Sequence, residues 1–88
     1  MMVSKIDLDW IRQVMSRHQA ALLGKRNVVG VGIGFKEKNQ QLTDEIAIVV
    51  SVKHKLPQNE IGGADLIPAE LEGVPVDVRE VGEIRALS

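Results

Sequence analysis

Apolar and polar residues alternate along this chain in two rhythms. Over residues 4–23 the apolar row returns every three to four positions: Ile11, Met15 and Leu22 with His18 in line, widened by Leu8, Val14 and Ala21. That period predicts an amphipathic helix. Ser4 suits the N-cap, Asp7 and Asp9 lie toward the positive end of the helix dipole, and Gly24 offers a left-handed stop. Trp10 lies beside the row and is expected to cover one edge of the core.

From Asn27 the period changes to two. Val29, Val31, Ile33 and Phe35 alternate with Gly30, Gly32 and Gly34, which predicts a strand over 27–36 with one greasy face and one nearly bare. Residues 36–44 are polar and read as a solvated hairpin loop. A second strand follows over 45–54, with Ile46, Ile48, Val50 and Val52 on one face and Ala47, Val49, Ser51 and Lys53 on the other. The two strands should pair antiparallel, merging their apolar faces.

Residues 55–73 form a long connection broken by Pro57, Gly62 and Gly63, in which Pro68 could open a single turn through Ala69, Glu70 and Leu71. Ile61, Leu66, Ile67 and Leu71 are apolar enough to pin it to the core edge. A third strand is expected over 74–81, with Val74, Val76 and Val78 inward, Asp77 and Arg79 outward, and Pro75 at an edge or strand start. The expectation is one α+β two-layer domain over residues 1–88, its N-terminal helix packed on one face of a small, antiparallel-rich, three-stranded sheet.

Composition narrows the function classes. The chain is 88 residues long, 44% hydrophobic and 26% charged, with net charge −1, as in an ordinary globular domain. Mixed charge and few aromatic residues argue against a nucleic-acid platform. No apolar run approaches the roughly 20 residues that span a bilayer. Acids near the N-terminus stand where a secretory signal has its apolar stretch, so a cytoplasmic protein is expected. There is no cysteine, hence no thiolate site.

Candidate chemistry is sparse. His18 reads as a partly buried structural histidine, and His54, between Lys53 and Lys55, as a solvated strand exit. Ser4, Ser16, Ser51 and Ser88 lack the glycine-rich setting that presents a nucleophile beside oxyanion donors. The glycines at 30, 32 and 34 lie inside a strand, so they do not form a dinucleotide fingerprint. No catalytic, metal or cofactor-binding residue is expected. Gly30, Gly32, Gly34, Ala47, Val49 and Ser51 form the candidate docking face, because small residues permit close backbone approach. The alternative is that the 55–73 connection covers this face.

The order of motifs adds a resemblance. Residues 27–36 (Asn-Val-Val-Gly-Val-Gly-Ile-Gly-Phe-Lys), residues 47–57 ending in His54-Lys55-Leu56-Pro57, residues 65–78 and Val81-Gly82 together resemble the N-terminal domain that precedes the catalytic domain in a family of bacterial trypsin-like serine peptidases. The resemblance spans about Asp9 to Leu87. It implies a non-catalytic accessory domain that docks on or orients an adjacent protease domain of the same polypeptide, within a serine-type hydrolase. No catalytic residue of that family carries over, because none of its catalytic motifs is present. Two alternatives are a domain that self-associates through a free sheet edge, and an inhibitory prodomain cleaved near Arg85 in its C-terminal stem. A small-molecule binder ranks last, since no convergent polar pocket can be read.

Overall fold

A computed structural model describes residues 8–55 and 66–82. Helix α1 spans Leu8–Leu23, followed by strands β1 (Val28–Lys38), β2 (Gln41–Val52), β3 (Glu70–Leu71) and β4 (Val74–Glu80). The sheet order is β1-β2-β4-β3, and α1 packs on one face. The α+β two-layer architecture is therefore as expected, with a mixed four-stranded sheet in place of three strands. Ser4, Asp7, the breaks at Pro57, Gly62 and Gly63, Ile61, the C-terminal stem with Arg85, and Ser88 lie outside the described residues.

β2 is the central strand. It pairs antiparallel with β1 and parallel with β4, in register Ile48 to Val76 and Val50 to Val78. The core forms where α1 meets this strand: Ile11, Val14 and Leu22 close on Ile48, Val50, Val52, Val74 and Val76, all buried. Met15, Val28, Val31, Ile33, Ile46, Ile67, Leu71 and Val78 pack around them. The helical period thus located the buried row, although Leu8 and Ala21 at its margins are exposed.

Four local expectations change. First, the polar segment after β1 is mostly strand. Lys38 pairs with Gln41, so only Asn39 and Gln40 form the turn, both at positive φ (53° and 66°). Two left-handed residues match the twist of a tight hairpin, which lets pairing run to its end. Second, an irregularity between Val28 and Gly30 breaks the alternation. An extra residue flips the phase of a strand, so Val28 joins the core instead of Val29. Third, the helix stop is not a left-handed Gly24; the positive φ (75°) falls on Asn27. Fourth, Glu70 and Leu71 form β3, not a helical turn, and Glu72-Gly73 (φ 51° and 85°) is a second two-residue hairpin turn into β4. Pro75, which has no N–H to give, pairs with Glu70 on this two-residue edge strand.

Truncating the packed centre and truncating the hairpin arm should differ sharply. Ile48 is fully buried, so Ile48→Ala should destabilise the domain by about 2–5 kcal/mol in urea unfolding. Leu42, 64% exposed, should change stability by no more than about 0.5 kcal/mol when replaced by Ala.

Candidate functional site

The sheet face away from α1 carries the candidate docking residues. Antiparallel pairing sets Gly30 beside Ser51, Gly32 beside Val49 and Gly34 beside Ala47. The structure thus brings all six together on one face. Parallel pairing adds Asp77 beside Val49 and Arg79 beside Ser51.

The six positions are not equally open. Ala47 is fully buried although, among the described residues, the helix lies on the other side of the sheet. A Cβ on Gly34 would meet Val49 Cγ2 at 3.3 Å, and one on Gly30 would meet Ser51 Cβ at 3.9 Å. A Cβ on Gly32 would meet nothing within 4 Å among the described residues. Gly32 also has no left-handed φ. Neither backbone conformation nor close packing therefore requires glycine there.

Asp77 and Arg79 occupy the rim of this face. Arg79 Nε donates to Asp77 Oδ2 at 3.0 Å, and its Nη2 donates to the Phe35 carbonyl. Asp77 Oδ2 also accepts the Glu37 backbone N–H at 2.8 Å. The pair's side chains are largely covered, at 28% and 12% exposure for Arg79 and Asp77. Strand alternation pointed both residues away from the helix, but it could not show that they reach β1, which is not their neighbour in the sheet.

A second polar cluster joins the helix to the β3–β4 turn. Arg17 grips Glu72 with two bonds, Nε to Oε2 at 3.1 Å and Nη2 to Oε1 at 2.8 Å. His18 Nε2 lies 2.9 Å from the same Oε2. Arg17 also stands over the Trp10 ring, 5.2 Å from its centroid, a cation–π distance. Hydrogen bonds from Arg17 and then His18 hold the Glu72 carboxyl down at about 2, against an ordinary 4.5. His18 is half-buried, as its place in the apolar row suggested, but its carboxylate partner is 54 residues away and had no local signal. Trp10, expected beside the apolar row, is 39% exposed and lies under Arg17.

Neither histidine meets a serine by hydrogen bond among the described residues. At the other sheet end, Asn27 uses its side-chain amide as a strand would: Oδ1 accepts the His54 N–H at 3.1 Å and Nδ2 donates to the His54 carbonyl. These bonds fix the His54 backbone, and the residue remains exposed. No group of three or more metal-ligand residues converges among the described residues, and no helix there is long and apolar enough to cross a membrane. The geometry assembles no catalytic machinery from the described residues.

Residues 3–81 match the sequence model of the NARROW LEAF 1 N-terminal domain. The chain belongs to that family. No curated protein matches it.

Membership in the NARROW LEAF 1 N-terminal domain family corrects the earlier resemblance to bacterial trypsin-like peptidases. With that resemblance go the protease and hydrolase assignments drawn from it. The motifs that carried it are alternating valine–glycine and valine-rich strands, which recur in small sheets of unrelated proteins. They report pairing geometry and not a downstream activity.

Two measurements probe this NARROW LEAF 1-type domain. Gly32→Ala should raise stability by about 0.4–1 kcal/mol, because it restricts the unfolded chain without a clash. Gly34→Ala should be the less stable of the two in urea unfolding, since branched Val49 must move. Glu72 gives a pH dependence of defined sign. A depressed carboxyl contributes stability above its unfolded value and loses it as pH falls through the folded one. The gap in melting temperature between wild type and Glu72→Gln should be open above pH 4.5 and close as pH falls toward about 2.

Proposed function

We propose that this is a non-catalytic accessory domain that docks, through the glycine face of its sheet, on the polypeptide that follows it. The observation that carries this reading is Gly32. Glycine within a strand weakens it, by roughly 0.5–1 kcal/mol relative to alanine. Here the described fold supplies no reason for that sacrifice, since a Cβ would enter open space. Close approach by another backbone or a flat side chain is a physical reason for a bare position; the alternative cover, the 55–73 connection, falls largely outside the described residues. The family description names an N-terminal domain, which supports an occupant from the same polypeptide. Gly30 and Ser51 extend the approachable strip, while Val49 and Arg79 bound it. A cytoplasmic setting belongs to the same proposal.

The test uses the isotopically labelled chain and the polypeptide that its own reading frame encodes beyond Ser88. Amide shifts should concentrate on Gly30, Gly32, Val49 and Ser51. Gly32→Lys should melt no lower than the wild type yet bind about tenfold more weakly or worse. Binding that leaves those amides unmoved, or that tolerates Gly32→Lys, removes the docking reading, as does a reading frame that closes at Ser88.

A further inference from the structure

Among the described residues β1 lies at the edge of the sheet, and an edge strand offers unpaired N–H and C=O groups to any strand that approaches. Over residues 28–35 this edge has neither a charged residue nor a proline, the usual deterrents. The geometry shows which groups face outward. Lys38 and Gln41 flank a two-residue turn, so they form the pair that bonds inward across the hairpin. Thr43 Oγ1, on β2, accordingly donates to the Lys36 carbonyl at 2.8 Å. Backbone groups on successive residues of a strand point to opposite sides. Glu37 N–H and the Phe35 carbonyl therefore point away from β2, to the open edge. These are the two groups that Asp77 and Arg79 take: the carboxylate accepts from Glu37, and the guanidinium donates to Phe35. One acceptor and one donor, held together by their own ion pair, stand where a neighbouring strand would present its carbonyl and its N–H.

We propose that the Asp77–Arg79 pair is an edge guard, which denies β1 to the β1 strand of a second copy of this chain. A second copy is the occupant that fits, because antiparallel self-pairing about this segment sets apolar residues against apolar residues and glycines against glycines. It also makes the contact isologous, which closes at a dimer. The guard acts on the edge of β1 and is independent of docking on the glycine face.

The experiment removes the guard without leaving a lone charge. Asp77→Leu with Arg79→Met, in the full chain, should lower the dimer dissociation constant about tenfold or more in sedimentation velocity over a dilution series. Amide exchange should then slow at Val31 and Ile33, whose N–H groups share the outward side with Glu37. A folded double variant as monomeric as the wild type overturns the proposal, and so does association that leaves those two amides unprotected. If the double variant does not melt cooperatively, Arg79→Met alone decides. It frees only the Phe35 carbonyl and should shift association in the same direction by a smaller factor; a folded, strictly monomeric Arg79→Met overturns the guard.

Discussion

The two unlike faces of β2 govern this structure. Over residues 48–52 the strand is paired on both sides, so its backbone there is committed and only its side chains can choose neighbours. One alternation gives Ile48, Val50 and Val52 to the helix, and the other gives Ala47, Val49 and Ser51 to the opposite face. A slip of one residue would bring Ala47 under α1 and turn Ile48 out, forfeiting the packing against Ile11 and Val14. Register, helix position and the small-residue face are thus one decision. With apolar burial near 25 cal/mol per Å² and so few large side chains, a domain of this size has little stability to lose.

Polar side chains finish what the short strands leave open. Asn27 extends the ladder onto His54, Thr43 bridges the irregular stretch beside Lys36, and Glu80 Oε1 accepts the Lys55 N–H at 3.0 Å. Asp77 and Arg79 do the same for β1. Each case puts an amide, hydroxyl or carboxylate where a peptide group would have stood. Among the described residues no buried side-chain nitrogen or oxygen is left without a partner. Unmade bonds are dear inside a protein, and a small sheet with one two-residue strand has many ends to satisfy.

Much of this was readable from the chain. The helical row of Ile11, Val14 and Leu22 and the alternation of β2 and β4 depend on period alone, so they survived folding unchanged. The errors lie where local chemistry competes with period. Asn39-Gln40 closes a hairpin without the usual glycine, so strand length was underestimated on both sides of it. The irregularity between Val28 and Gly30 exchanged Val28 for Val29 at the start of β1 and left the rest of the face as read, and an insertion of that kind leaves no compositional trace. The parallel β2–β4 pairing could not be read because its crossover is long and carries no helical pattern. For the candidate face, the six small residues were visible, but their unequal openness was not. It depends on the rotamer of Val49 and on the reach of Arg79, both properties of the folded state. The family assignment failed for a related reason, since valine–glycine alternation describes a surface and not an ancestry.

Glu72 answers to two masters. As the first residue of a left-handed turn it occupies backbone territory where glycine or asparagine rests most easily. As the seat of Arg17 and His18 it must carry a carboxylate on a two-carbon stem. A residue that relaxes the bend forfeits the tie to α1, and a residue chosen for the tie leaves the bend taut. Few of the twenty side chains meet both demands, so drift at this site is confined from two directions, although it lies on the surface where tolerance is the rule.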